Sequence, residues 1–198
     1  MRIVRILTQK PDPKIIKEAA QVIRRGGLVI FPTETVYGLG ADAFNSKAVR
    51  KIFKIKGRPK QKPLIVHVSK KSTLDVLARD IPRVARALAQ KFWPGPLTLV
   101  LHARRRRTVA IRMPDHPVAL ALIRAAGPLA APSANFSGDP PPRSVGEIPW
   151  ALLKKVDLVL GAGRCPVGVP STVIDLTVNP PKILREGAIK ATQLKKFL

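Results

Sequence analysis

The chain has 198 residues, 45% of them hydrophobic, and 36 Lys and Arg against 12 Asp and Glu give it a formal net charge of +24. This length predicts one domain over residues 1–198 with room for a sizeable core. The charge favours an anionic substrate, a polyanionic partner, or both over the alternative of a solvated basic surface without a ligand.

The cysteine content and the hydrophobic runs exclude several classes of protein. With Cys165 as the only cysteine, a disulfide framework or a cysteine zinc site within the chain is excluded, and a cytoplasmic setting is expected. The charged start Met1–Arg5 is not followed by an apolar stretch, and no run approaches the ~18 apolar residues of a membrane helix. We therefore expect no signal peptide and no membrane contact.

The predicted elements alternate between strands and helices. The first half is predicted to contain a strand at 2–7, a helix from Asp12 to Gly26, a strand at 28–31, a helix from Asn45 or Ser46 to Gly57, a strand at 64–68, and helices near 72–79 and 82–92. The second half is predicted to contain strands at 97–101 and 108–112 around a charged loop at 104–107, a helix from Pro117 to Gly127, strands at 129–132, 158–160, 172–176 and 183–184, a helix from Ser144 to about Lys154, and a short basic helix at the end. Hairpin and crossover connections occur together, which predicts an α/β fold around a mixed, twisted sheet flanked by helices.

The stretch from Phe31 to Gly40 is the first candidate for a functional site. An apolar strand runs there into two threonines, a glutamate and two glycines, and strands rarely end in this way unless the backbone passes close to something. A tight turn capped by threonine side chains explains the same residues. The basic segment at 47–62, which has eight Lys or Arg and no acid, favours an anion site beside the turn.

Other polar residues also follow apolar strands. Arg112 ends a β-branched strand, and an arginine leaving the core needs an anion partner, for which this chain has few acids. A structural Asp or Glu is the alternative partner, but we expect the guanidinium to be unpaired until an anionic substrate arrives. His67 lies inside an apolar strand, where a lone histidine is more often a core residue than a ligand.

Several kinds of chemistry are absent from the sequence. No Gly-x-x-x-x-Gly-Lys-Ser/Thr occurs, no Gly-x-Gly-x-x-Gly follows a strand, and the three histidines have no metal-ligand spacing. Thr, Ser, Asn, His, Arg and Lys at strand ends, with few carboxylates, suit the positioning and charge stabilisation of a nucleotide. No metal site made by the protein is expected.

Eight blocks of the sequence, in order, resemble the YrdC-type threonylcarbamoyl-AMP synthases. They are Gly27–Leu39, Lys56–Pro59, Pro63–His67, Pro94–Thr98, Arg112–Pro114, Pro132–Asn135, Ser171–Asp175 and Leu184–Gly187. Together they cover nearly the whole chain, and their order makes the resemblance specific. It implies a YrdC-like domain with a concave, positively charged cavity.

The resemblance also implies an activity. L-threonine, bicarbonate and ATP would give threonylcarbamoyl-AMP and pyrophosphate, a nucleotidyltransferase reaction on the route to N6-threonylcarbamoyladenosine at position 37 of tRNA. The implied threonine-binding residues are Thr35, His67, Arg112, Ala131 and Ser171, with Arg112 on the carboxylate. The implied ATP-binding residues are Lys56, Arg58, Lys62, Thr108, Ser133, Asn135 and Arg185. Lys56, Arg58, Ser133 and Asn135 match the family's catalytic Lys-x-Arg and Ser-x-Asn signature.

Mg²⁺ bridging the ATP phosphates is the implied cofactor, and it needs few protein carboxylates when phosphates and water complete its shell. The implied partners are tRNA or double-stranded RNA and a downstream threonylcarbamoyl transferase complex. The chain is expected to be a short form without the second domain of longer members. It departs from them at Pro141, where Ser or Thr is common.

Two other functions fit parts of the sequence. The charge alone suits an RNA-binding module that holds tRNA or double-stranded RNA without catalysis. A relative that makes carbamoyl-AMP from carbamoyl phosphate would share the fold, but it usually carries acylphosphatase-like and zinc-finger regions.

Overall fold

A computed structural model describes residues 1–59, 61–105 and 107–198. Lys60 of the basic segment and Arg106 of the loop at 104–107 lie outside these residues. The strands are β1 Arg2–Arg5, β2 Val29–Phe31, β3 Gly38–Asp42, β4 Ile65–His67, β5 Leu97–His102, β6 Thr108–Arg112, β7 Leu129–Ala130, β8 Leu158–Gly161, β9 Thr172–Asp175 and β10 Lys182–Arg185. The helices are α1 Pro13–Arg24, α2 Ser46–Lys56, α3 Thr73–Leu77, α4 Arg83–Phe92, α5 Pro117–Ala126, α6 Trp150–Leu153 and α7 Ala191–Leu194, with 3-10 turns at Val145–Glu147 and Lys195–Phe197.

The strands form one sheet in the order β1-β8-β2-β3-β7-β4-β6-β5-β9-β10. The pairs β1/β8, β2/β8, β4/β6 and β5/β9 are parallel, and the remaining neighbours are antiparallel. The predicted mixed sheet flanked by helices is therefore confirmed. The central strands β4 and β6 run in the same direction, so His67 pairs with Arg112 where both strands end.

Three apolar clusters hold helices against this sheet. The first joins α1 and α5 to β2, β7 and β8, and the second joins α3, α4 and α7 to β5, β6 and β9. The third joins α2 and α6 to β2, β3 and β8. The core therefore surrounds the middle of the sheet, and the strand ends remain available for polar groups.

The helix starts follow their capping residues. The Asp12 side chain accepts from the Lys14 N–H ahead of Pro13, and Asn45 accepts from the N–H groups of Lys47 and Ala48. Asn45, not Ser46, is thus the cap of α2. Gly57 ends α2 with φ of 59°, a left-handed conformation that favours glycine.

The predicted helix from Ser144 to Lys154 is wrong as one element. Only a 3-10 turn and the four-residue α6 form there, because Pro149 has no N–H to donate and restricts the residue before it. The spacing of Ser144 and Glu147 is that of a capping box, which is the reason for predicting a helix start at Ser144. In the fold the Ser144 side chain makes no cap hydrogen bond, and the Glu147 carboxylate accepts from the Arg143 N–H and pairs with Arg164 at 2.9 Å.

Strand β3 was not predicted, because glycines at 38 and 40 favour a turn in the sequence. In the fold they make room for an aromatic ring, since a Cβ on Gly40 would lie 2.7 Å from the Phe31 ring. None of the helices in the described ranges is both long and apolar enough to cross a bilayer.

Candidate functional site

A cavity of about 250 Å³ opens where the strand ends converge. It is lined by residues after β2, at the ends of β4, β6 and β10, after β7 and before β9. The predicted residues that the fold brings together here are Thr35, Arg58, His67, Arg112, Ala131, Ser133, Asn135, Ser171 and Arg185, and Pro141 also lines the cavity. Three arginines and Asp139 are the charged groups among the lining residues in the described ranges.

The turn after β2 is fixed by its own hydroxyls. The Thr33 hydroxyl donates to the Val36 carbonyl at 2.7 Å and accepts from the Val36 N–H at 3.2 Å. It also lies 2.9 Å from the Thr35 hydroxyl. Both threonines are buried, so this turn presents hydroxyls to the cavity at fixed positions.

Tyr37 joins this turn to the segment that follows β8. Its hydroxyl donates to the Gly163 carbonyl at 2.7 Å and accepts from the Ala162 N–H at 3.0 Å, and burial raises its pKa. The N–H of Tyr37 donates to the Pro142 carbonyl. The turn is therefore attached to two neighbouring loops.

The expectation that Arg112 is unpaired is wrong. Its Nη2 lies 2.7 Å from Oε1 of Glu34, and both side chains are less than a tenth exposed. The two atoms are at ion-pair distance but not at hydrogen-bonding angles. The Arg112 Nε also donates to the Gly95 carbonyl at 3.2 Å. Glu34, one of the few acidic residues of the chain, therefore pairs with Arg112.

His67 ends β4 next to Arg112 and packs edge-on against the Phe31 ring, with centroids 6.3 Å apart. Burial, reinforced by the positive charge of Arg112, lowers the pKa of His67 from 6.5 to about 3. The imidazole is thus neutral near pH 7.

This shift predicts a pH dependence of stability. As the pH falls below 6.5, the unfolded chain takes up a proton that folded His67 does not accept until near pH 3, so the free energy of unfolding decreases. The slope from one such group is at most about 1.4 kcal/mol per pH unit. Urea unfolding between about pH 5 and pH 7 measures it. His67→Gln should flatten the slope without removing it, because burial also lowers the pKa of His116. An unchanged slope in the variant would contradict the assignment.

Ser171 and Arg185 line the cavity side by side. The Arg185 Nε and Nη2 donate to the Ser171 carbonyl at 3.0 and 2.8 Å, and the Ser171 hydroxyl lies 2.8 Å from that of Thr98. Burial lowers the pKa of Arg185, and the charges of Arg112 and Arg58 lower it further. The arginines therefore repel one another across the cavity, and an anion between them would relieve this repulsion.

Arg58 follows the end of α2 and is braced by its own loop. Its Nε donates to the Lys62 carbonyl at 2.8 Å and its Nη2 to the Pro63 carbonyl at 3.0 Å. Lys62 thus supports Arg58 through its backbone, while its side chain is exposed and does not line the cavity.

Lys56 does not line the cavity either. It is 3% exposed, and its Nζ donates to the backbone carbonyls of Ser133, at 2.6 Å, and Asn135. Burial, followed by repulsion from Arg58, lowers the pKa of Lys56 to about 8. The loop that it holds is also linked by the Ser133 hydroxyl, which donates to Oδ1 of Asn135 at 2.5 Å.

Thr108 is the remaining predicted residue that the fold places elsewhere. It begins β6, whereas Arg112 ends that strand, and it lines a second cavity of about 680 Å³ with Phe53, Val66 and Arg104. The sequence resemblance could not reveal that Thr108 lies apart from the other predicted residues, because it does not say which end of a strand faces the cavity.

Cys165 is buried, and burial raises the pKa of its thiol to about 11. Little thiolate is present at neutral pH, so the thiol is a poor nucleophile. Within residues 1–59, 61–105 and 107–198, no three His, Cys, Asp or Glu side chains are grouped as metal ligands.

Sequence reasoning assigned no individual role to Glu34 and Tyr37, although both lie in the candidate stretch Phe31 to Gly40, and none to Thr98 or Asp139. For Glu34 a signal existed, because it closely follows an apolar strand predicted to be buried, and a buried acid needs a cationic partner. The other three become part of the site only through contacts between distant segments.

Comparison with known proteins identifies the family. A family model described as "Telomere recombination", covering the Sua5, YciO and YrdC proteins, matches residues 21–187. The threonylcarbamoyl-AMP synthase of Pyrococcus abyssi is 47% identical over 193 residues, which cover 92% of this chain and 57% of that protein. A putative threonylcarbamoyl-AMP synthase of Mycobacterium tuberculosis is 40% identical over 192 residues, which cover 92% of this chain and 88% of that protein.

A solved structure agrees with these relatives. The crystal structure of P. abyssi Sua5 complexed with L-threonine superposes with a TM-score of 0.96 at 44% identity, covering 100% of this chain and 61% of that one. The chain thus spans little more than half of the Pyrococcus protein. The matched family model, the identities and the shared fold agree, and the chain belongs to the Sua5/YciO/YrdC family.

Proposed function

We propose that the chain is an L-threonylcarbamoyl-AMP synthase, a nucleotidyltransferase that converts L-threonine, bicarbonate and ATP to threonylcarbamoyl-AMP and pyrophosphate. The relatives named above are called threonylcarbamoyl-AMP synthases, and the P. abyssi Sua5 structure is a complex with L-threonine. The same reaction is the one that the eight sequence blocks imply.

The distribution of burial in the cavity is the observation that carries the proposal. Thr35, His67, Arg112 and Ser171 are all less than a tenth exposed and form a closed end suited to a small amino acid. Arg58 and Arg185 are the more exposed arginines of the lining, and we infer that the cavity opens beside them, with Arg185 also hydrogen-bonded to Ser171 of the closed end. A cavity of about 250 Å³ is too small to enclose a whole nucleotide beside an amino acid, so ATP would extend through the open end.

In this arrangement Arg112 receives the threonine carboxylate, and neutral His67 and the Ser171 hydroxyl offer hydrogen bonds to its remaining polar groups. The nearby arginines favour the uncharged form of the threonine amine, because like charges disfavour an ammonium. Bicarbonate releases CO₂ and hydroxide, the amine nitrogen attacks the carbon of CO₂, and the proton that the amine loses combines with the hydroxide to give water, which leaves the carbamate.

The second step joins the carbamate to the nucleotide. A carbamate oxygen attacks the α-phosphorus of ATP, and the bond from that phosphorus to the bridging oxygen breaks as pyrophosphate leaves. Arg58 and Arg185 stabilise the charge that develops on the phosphates. The Ser133–Asn135 loop, held from behind by Lys56, contributes a hydroxyl and an amide at a fixed position.

The donor set fits Mg²⁺ bound mainly by ATP. Asp139 is a carboxylate that lines the described cavity, and the phosphates and water would supply the other oxygen ligands. When bound, the ion neutralises phosphate charge. The proposal includes a role in tRNA modification in the cytoplasm, with transfer of the product to tRNA by a separate transferase complex.

Pyrophosphate release from ATP tests the proposal. We expect release that requires both threonine and bicarbonate. Release without threonine, or with carbamoyl phosphate as the required substrate, would favour the carbamoyl-AMP-forming alternative. Binding of tRNA without any release would favour an RNA-binding module.

Arg58→Ala is expected to weaken ATP binding by about 1.5–3 kcal/mol, the scale of a charged hydrogen bond, and to affect threonine binding less. Separate calorimetric titrations with ATP and threonine measure the two effects. Arg50→Ala is the matched control, because Arg50 is an exposed arginine on α2 that does not line the cavity. Equal losses in the two variants would contradict a specific role for Arg58.

A further inference from the structure

Glu34 lies behind the cavity, not in its wall. Thr33 and Thr35 line the cavity on either side of it in the sequence, but Glu34 does not. It is 6% exposed, and its carboxylate is beside Arg112 and close enough to His116 to raise that residue's pKa against the larger effect of burial. A carboxylate at this depth is not free to contact solvent or a diffusing cation.

The guanidinium of Arg112 is held at two points on the protein side. Its Nε donates to the Gly95 carbonyl at 3.2 Å, and its Nη2 is 2.7 Å from Oε1 of Glu34. Because the guanidinium is planar, two fixed atoms determine the orientation of the third. Nη1 makes no hydrogen bond to the described residues, and Arg112 lines the cavity.

The charge of Glu34 has a second consequence. Arg112 is 4% exposed, and a buried guanidinium without a counter-charge would turn towards water or require compensation elsewhere. Arg58 and Arg185 act across the same cavity and would increase this tendency by repulsion. A carboxylate on the protein side opposes it.

We infer that Glu34 is a positioning residue that holds the Arg112 guanidinium in the orientation that receives the carboxylate of the amino-acid substrate. The inference rests on the proposed function for the identity of that substrate. Glu34 acts through Arg112 and touches neither threonine nor ATP. The alternative is that Glu34 competes with threonine for Arg112 and is displaced when threonine binds. Removal of the Glu34 charge would then strengthen threonine binding, whereas the positioning role predicts weaker binding.

The test is a double-mutant cycle read by calorimetric titration. Glu34→Gln keeps the size of the side chain and removes its charge, and we expect it to weaken threonine binding by about tenfold or more. In an Arg112→Lys background, which lacks the planar fork, the same change should alter threonine binding by less than about twofold. Glu18→Gln is the matched control, because Glu18 pairs with Arg2 on the exposed surface.

ATP affinity distinguishes a specific effect on the orientation of Arg112 from a general loss of structure, because a disrupted fold would weaken ATP binding as well as threonine binding. Glu34→Gln should leave ATP affinity within about twofold of wild type. If Glu34→Gln does not fold, Glu34→Asp takes its place, since it keeps the charge but is one methylene too short to hold Nη2 at the same distance. We expect Glu34→Asp to lose threonine affinity in the same way.

A ligand-free measurement keeps this inference distinct from the proposed function. Rotation of the Arg112 guanidinium, followed by NMR of its side-chain nitrogens, should be slow in the wild type and faster in Glu34→Gln. Unchanged or tighter threonine binding in Glu34→Gln, equal losses of ATP and threonine, or unchanged rotation would overturn the inference. A wild-type protein that binds no threonine, while its rotation responds to Glu34→Gln, would overturn the proposed function instead.

Discussion

Replacing Lys56 with methionine is expected to lower the free energy of unfolding by about 3–5 kcal/mol. The Lys56 amine is buried and donates to the backbone carbonyls of Ser133 and Asn135. Methionine fills a similar volume but donates nothing, so both carbonyls lose their buried partner. Denaturant unfolding near pH 7 measures the loss, at a pH where most of the Lys56 amine is charged because its pKa is about 8.

Lys51→Met is the control for this prediction. Lys51 lies on the same helix and donates to the Gly26 carbonyl at 2.9 Å, but its side chain is exposed. We expect a loss below about 1 kcal/mol there. Similar losses in the two variants would show that the Lys56 contacts do not stabilise the loop. Lys56→Met should also weaken ATP binding wherever the variant remains folded, because Ser133 and Asn135 would no longer be held.

Replacing Arg112 with alanine is expected to cost about 3–5 kcal/mol of stability and to remove most threonine binding. The stability cost arises because Glu34 stays buried without its partner. The affinity loss should be between about tenfold and a hundredfold, the range for a charged hydrogen bond. A thermal melt of the ligand-free protein and a threonine titration measure the two parts.

Arg112→Lys separates these two effects. The lysine can still pair with Glu34, so the melting temperature should stay closer to that of the wild type than in Arg112→Ala. It cannot offer two parallel N–H groups to a carboxylate, so threonine affinity should still fall by about tenfold. Normal threonine affinity in Arg112→Lys with a lowered melting temperature would identify Arg112 as a residue of the fold alone.

Much of the fold follows from local signals in the sequence. Asp12 and Asn45 start helices with the expected caps, and β-branched runs form β4, β6 and β9. The two glycines of β3 favour a turn when only the sequence is considered. Glycine is needed there because the Phe31 ring packs against this strand, a contact that exists only in the folded sheet. Pro149 determines where α6 begins. Because proline interrupts a helix, its presence between Ser144 and Lys154 predicts that this segment does not form one continuous helix, in spite of the spacing of Ser144 and Glu147.

The site was predictable in composition but not in its contacts. The ordered blocks identified the residues at the strand ends, and most of them meet in one cavity. Lys56 lies on the same helix face as Ala48 and Ile52, spaced four residues apart, which predicts an inward side chain. Its use as a loop support, and the pairing of Glu34 with Arg112, depend on tertiary distances that no local pattern contains.

A crystal structure of the protein grown with threonine and a non-hydrolysable ATP analogue tests the central claim most directly. We predict threonine at the closed end of the cavity, with its carboxylate on Arg112, and the triphosphate at the open end beside Arg58 and Arg185. Threonine bound elsewhere, such as in the cavity lined by Phe53 and Thr108, or a nucleotide that makes no contact with these arginines, would contradict it.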